Sequence, residues 1–156
     1  MAVKNIHTTI ASEKTISEII KILTKFGARK ILQDIDKGGR IIGISFIIEL
    51  EDGRNVPFKL PMRVEKARAV IERAVQERIL PKKFRNEPDR TDRAMMVGWR
   101  IIKDSIHSQL SLFEMNYSDA VEIFLAYAYH IKTNKTLYEK MLDGKLKTLA
   151  IGHEEA

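Results

Sequence analysis

Six apolar residues between positions 95 and 113 limit the fold more than any other feature. Met95, Trp99, Ile102, Ile106, Leu110 and Phe113 fall within an arc of about 80° when wound at 3.6 residues per turn. A stripe this narrow and sustained predicts one long helix over about Thr91–Glu114, with Trp99 buried. Val97, Ile101 and Leu112 form a second apolar arc on the same helix. A helix that is apolar on two sides must be covered on both, either by the rest of the chain or by a second subunit. A homo-oligomer is therefore one expectation. Arg93, Arg100, His107 and Ser111 line the remaining polar side, with Asp104 among them.

Upstream, the period changes. Residues 5–10 read as a short strand. Ser12 or Thr15 then caps a helix, since Thr15-x-x-Glu18 fits a capping box, and Ile16, Ile19, Ile20, Leu23 and Phe26 follow at helical spacing up to Gly27. Lys14, Lys21 and Lys25 share a stripe opposite that apolar face. Three strands come next. Ala28–Asp36 alternates Ile31, Gln33 and Ile35 against Leu32, Asp34 and Asp36. Arg40–Leu50 places Ile42, Ile44, Phe46, Ile48 and Leu50 on one face, and Asn55–Leu60 places Val56, Phe58 and Leu60 inward. Lys37-Gly38-Gly39 and Asp52-Gly53 mark the hairpin turns. Pro57 lacks an N–H, so the third strand should be an edge strand.

A helix over residues 62–79 carries Val64, Ala67, Ile71, Ala74 and Val75 on one face. A basic loop over 81–90 joins it to the long helix. Ser118 is expected to cap a helix over Asp119–His130, and Asn134 one over Thr136–Leu142, with Gly152–Ala156 a frayed tail. The fold class expected is α+β, a helix on a three- or four-stranded antiparallel sheet followed by a mainly helical C-terminal half. At 156 residues, 1–156 is expected to be a single domain, with an α-β-β-β-α half over 8–80 and a helical half over 91–150. Residues 14–78 follow the element order of the double-stranded-RNA-binding module, an analogy of fold alone.

Several chemistries are excluded or disfavoured. With no cysteine there is no disulfide, thiolate metal site or thiol nucleophile. His7, His107, His130 and His153 lie in four separate segments without metal-ligand spacing, so no metal is expected. No Gly-x-Ser-x-Gly elbow is present, and His107 and Ser108 are helix neighbours about 100° apart, so they do not face each other. Lys37-Gly38-Gly39-Arg40 sits between strands and lacks the P-loop pattern. Asp34 and Asp36 point the same way beside a turn, where acidic residues usually face water. The expectation is a non-enzyme without a cofactor. No run approaches the roughly 20 apolar residues of a membrane span, and Met1–Lys14 lacks the apolar core of a secretory signal, so a cytoplasmic protein is expected.

The charge is unevenly spread. The formal net charge is +6, yet Arg54–Lys103 alone holds fourteen Lys and Arg against six Asp and Glu. The densest part is Pro81-Lys82-Lys83-Phe84-Arg85. Arg93 and Arg100 follow two helical turns apart, a spacing that suits successive backbone phosphates. Phe84 is the one aromatic placed to stack on a base. Lys82, Lys83, Arg85, Arg93 and Arg100 are thus the candidate nucleic-acid-binding residues, DNA and RNA being equally open.

Two stretches carry a resemblance. Ile10-Ala-Ser-Glu-Lys-Thr-Ile-Ser-Glu-Ile leads on to Phe26-Gly-Ala and Pro57-Phe-Lys-Leu-Pro. Trp99-Arg-Ile-Ile-Lys-Asp-Ser-Ile-His-Ser-Gln-Leu leads on to Val121-Glu-Ile-Phe-Leu-Ala-Tyr. In this order they resemble a family of small uncharacterised bacteriophage and prophage proteins, over about residues 8–142. That family tends to have Trp where Ser105 stands and Pro where Ala126 stands. The resemblance implies a phage-type setting, in the cytoplasm of an infected or lysogenic bacterial cell. It carries no site residues with it. Two functions are then expected. One is a non-enzymatic nucleic-acid-binding accessory protein contacting mainly phosphates. The alternative is an oligomeric protein-interaction or anionic-ligand-sequestering factor, such as one that counters host defence.

Overall fold

The computed structural model describes residues 1–145; His153 and the tail Gly152–Ala156 lie outside the described residues. The chain is α+β, as expected. Helix α1 (Ser12–Lys25) leads into strands β1 (Ala28–Ile35), β2 (Ile41–Glu49) and β3 (Asn55–Pro61), which form an antiparallel sheet in the order β1-β2-β3. Helix α2 (Val64–Gln76), a 3₁₀ turn (Lys82–Arg85) and helix α3 (Asp89–Glu114) follow. Helix α4 (Ala120–Phe124), strands β4 (Tyr129–His130) and β5 (Lys135–Thr136), and helix α5 (Leu137–Lys140) complete the described elements, with a 3₁₀ turn after α4 and a wide turn after α5.

Two apolar clusters meet at α3. In the larger, α1 and α3 cover one sheet face, so Ile16, Ile19 and Leu23 join Ile44, Phe46, Phe58, Met95, Trp99 and Ile106. Phe124 closes it, edge-on to both Phe26 and Phe46 at 5.0 and 5.2 Å between ring centroids. Such pairs add about 0.5–1.5 kcal/mol beyond area burial. In the smaller cluster, Ile71, Ala74 and Val75 of α2 meet Leu80, Phe84, Ala94 and Val97. The second apolar arc of α3 is therefore divided. Val97 is covered by α2, whereas Ile101 and Leu112 stay exposed.

The strand expectations for β2 and β3 hold, with Ile44, Phe46, Ile48, Phe58 and Leu60 buried. Pro57 lies opposite Ile47 on an edge strand whose outer side carries an isolated backbone bridge between Phe58 and Ala128. Gly43 permits a close approach: an ion pair between Lys59 and Asp34, 3.1 Å apart, passes where a Cβ would lie 3.0 Å from Asp34 Oδ2.

Other expectations need correction. Residues 5–10 form turns and irregular chain, and Val3 and Ile6 pack on the smaller cluster. Helix α1 has no side-chain cap; Ala11 stands at its N-cap, and Thr15 is buried inside the helix because α3 lies against it. β1 shifts register between Arg29 and Leu32 and again between Asp34 and Ile35, which breaks the expected alternation and leaves Leu32 and Ile35 exposed. The helix expected over Asp119–His130 stops at Phe124, capped by Asp119 rather than Ser118, and the chain turns into the β4–β5 hairpin. Thr136, not Asn134, caps α5, in a capping box with Glu139.

Candidate nucleic-acid interface

The candidate interface lies where α2 ends. Leu80 and Phe84 are apolar anchors in the smaller cluster, so the 82–85 turn is pinned to the protein by its one buried residue. The side chains that alternate with that anchor then face outward: Lys82, Lys83 and Arg85 are all exposed. Phe84 is 6 % exposed, so it is no stacking platform for a base. Its ring instead receives two cations, with Lys83 Nζ 4.9 Å and the Arg93 guanidinium carbon 4.6 Å from the ring centroid.

A network of ion pairs fixes the connection from this turn into α3. Glu87 accepts from Arg90 at 3.0 Å and from Arg68 at 2.9 Å, and the Thr91 backbone N–H donates to its other oxygen at 3.2 Å. Arg90 also reaches Glu72 at 2.6 Å, and Arg68 reaches Glu65 at 3.0 Å, so α2 and α3 are clamped at this end. The Thr91 side chain above all, helped by the guanidiniums of Arg90 and Arg68, holds the Glu87 carboxyl down at about 2 against an upward push from burial. Arg40 takes Asp92 at 3.0 Å. Four of the acids in the basic segment are thereby engaged by Arg40, Arg68 and Arg90. Lys82, Lys83 and Arg85 have no carboxylate within 4.0 Å among the described residues.

The two arginines of α3 lie elsewhere. Arg93 donates to the Thr8 carbonyl and stacks on Phe84, and its buried Nε has no acceptor among the described residues. Arg100 pairs with Glu18 and reaches Thr15 Oγ1 at 3.4 Å, with 15 % of its side chain exposed. Asp104, between Lys103 and Asn5, has its carboxyl held low first by the Asn5 amide and then by Lys103. The polar face of α3 from Arg93 to Asp104 is therefore a contact surface for α1 and the N-terminal segment, while His107 and Ser111 stay exposed. The structure brings Lys82, Lys83 and Arg85 together on one turn and points Arg93 and Arg100 into the protein.

The remaining sequence candidates have structural partners. Asp34 pairs with Lys59, and Asp36 Oδ1 accepts from the backbone N–H groups of Gly38 and Arg40, both at 2.9 Å, which closes the β1–β2 turn. No three His, Asp or Glu side chains among the described residues are grouped to hold a metal ion. No described helix is long and apolar enough to cross a membrane.

Comparison with known protein families, curated proteins and solved structures finds no match. The residues and their geometry alone carry the functional reading.

One cation beside this turn went unassigned in the sequence. Arg78 lines a groove of about 610 Å³ with Lys82 and Arg85, floored by Ile79, Leu80 and Pro81. Its signal was the helix end itself: residue 78 follows the last turn of α2, and the basic cluster begins four residues later.

Proposed function

We propose that this protein is a non-enzymatic nucleic-acid-binding accessory protein that contacts mainly phosphates through Lys82, Lys83 and Arg85. The observation that carries the reading is the charge imbalance at one rigid turn. Three exposed cations stand together there, while Glu72, Glu87 and Asp92 are engaged by Arg40, Arg68 and Arg90. Uncompensated cations on a fixed scaffold bind a polyanion by releasing its condensed counterions. With Phe84 buried beneath the turn, no aromatic there reads bases, so binding is independent of sequence. The resemblance to small phage and prophage proteins supports a setting in the cytoplasm of an infected cell.

Fluorescence anisotropy with labelled 20-mers tests this. Single- and double-stranded DNA and RNA are each titrated at about 50 mM salt, where phosphate-driven binding is strong. Binding to at least one, lost in the Lys82→Ala/Lys83→Ala/Arg85→Ala variant, is expected. No binding to any of the four removes the reading.

A second reading has its own observation. Ile101 and Leu112 remain exposed on α3 at 36 % and 38 %. A self-association face along α3 would cover them and make the protein an oligomeric interaction factor. A monomeric mass by light scattering at high concentration removes this alternative.

A further inference from the structure

Three helices in this protein end the same way, and one of them does so with an unsuitable residue. After α1 the chain passes through Gly27 at φ +90°, and after α3 through Asn116 at φ +57°. Both residue types tolerate the left-handed region. After α2 the same position holds Arg78 at φ +59°. Its backbone makes the pair of hydrogen bonds that defines a left-handed helix stop. The Ile79 N–H donates to the Ala74 carbonyl at 2.8 Å and the Arg78 N–H to the Val75 carbonyl at 3.1 Å. Glycine is the usual residue there, because a side chain brings Cβ against its own carbonyl.

The strained residue opens onto a specific place. The groove between the end of α2 and the 82–85 turn holds three cations, Arg78, Lys82 and Arg85, and no carboxylate in its lining. Glu77, adjacent in sequence, is not part of that lining and lies 4.0 Å from the N-terminal amine. No ion pair among the described residues neutralises Arg78. A guanidinium supplies a planar fork of donors, which grips a phosphate through two oxygens at once. Strain of this kind clusters at functional sites; in this chain Arg78 shares it with Lys30 of β1, at φ +51°.

We propose that this groove is a phosphate cradle, with Arg78 its central ligand and Lys82 and Arg85 its flanks. The inference rests on the nucleic-acid reading above and adds the residue that grips the strand. One backbone phosphate of the nucleic acid sits in the groove, with the sugar against Ile79 and Pro81. Arg78 is kept despite its backbone because glycine, which would suit the helix end, has nothing to hold the phosphate.

The test separates strain from binding. Arg78→Gly should raise the thermal midpoint by about 2–4 °C, since it relieves the left-handed conformation. The same variant should weaken a labelled 20-mer oligothymidylate about tenfold and lower its salt slope by about 0.7. Arg78→Lys keeps the charge and the strain, so it should recover part of the affinity with no gain in midpoint. A parallel titration with inorganic pyrophosphate, followed through the amide NMR signals of Arg78 and Lys82–Arg85, reports on the cradle without a strand. If the wild type binds oligothymidylate and Arg78→Gly binds it equally, the cradle is wrong and the wider reading survives. If no polynucleotide binds but pyrophosphate shifts those signals only when Arg78 is present, the cradle stands and the nucleic-acid reading falls. If neither pyrophosphate nor any of the four nucleic acids binds, both fall.

Discussion

Trp99 is fully buried, and its indole N–H donates to the Ile41 carbonyl at 3.1 Å across the gap between α3 and β2. Replacing it removes the largest side chain of the main cluster and leaves that carbonyl without its partner. Trp99→Ala should lower the unfolding free energy by about 3–5 kcal/mol, read from urea midpoints. A loss below about 1 kcal/mol would mean that the site collapses around the gap. The burial of Trp99 was legible because helical phase fixes which residues share a side. Phase is silent about what comes to lie on the polar side. Arg93 and Arg100 do share a face, yet that face meets Thr8, Phe84, Thr15 and Glu18, all remote in sequence except Phe84. Phe84 misled for a related reason: a basic context says nothing of a single apolar anchor beneath a turn. Arg78 was hidden because its distinguishing property is a backbone angle.

Between elements, the pairing of Arg100 with Glu18 ties α3 to α1. Arg100→Ala leaves the half-buried Glu18 carboxylate without its cation and should cost about 1–3 kcal/mol, in contrast to the near-neutral change of a solvated arginine. Urea unfolding of the variant checks this. A change within about 0.5 kcal/mol would mean that Arg100 swings free in solution and is open to a ligand. The clamp of α2 on α3 gives a pH prediction. The carboxyl of Glu87 ionises at about 2 in the folded protein, below its ordinary value near 4.5. A depressed carboxylate stabilises the folded state above its unfolded value, and that contribution fades as pH falls from about 4.5 toward 2. Wild type should therefore exceed Glu87→Gln in thermal midpoint at neutral pH, and the two should converge as pH approaches 2. A constant difference across that range would place the effect in packing rather than charge. The elements themselves were largely legible, because β2, β3 and α2 each bury one regular face and α3 carries a sustained helical stripe. The parts that were not depend on partners: the register shifts of β1, and the hairpin that replaces the end of the expected helix after Asp119.

Over the whole molecule, much of the basic excess of the middle third is taken up within the fold. The ion pairs of Arg40, Arg68, Arg90 and Arg100 are internal, and Arg93 is held by Thr8 and Phe84. Near the end of α2, Lys82, Lys83, Arg85 and Arg78 have no ion pair among the described residues, and neither does the exposed Arg73. On the proposed reading, the number of cations that engage phosphate is three or four rather than the five read from the sequence. That number is measurable, since log affinity falls linearly with log salt at about 0.7 per phosphate contact on a single strand. The most direct measurement is the salt dependence of oligothymidylate binding by wild type and by the Lys82→Ala/Lys83→Ala/Arg85→Ala variant. A wild-type slope of about −2 to −3, falling by about 2 in the variant, is the predicted result. An unchanged slope in the variant would contradict it and move the interface to other exposed cations, such as Lys14, Lys21 and Lys25 of α1.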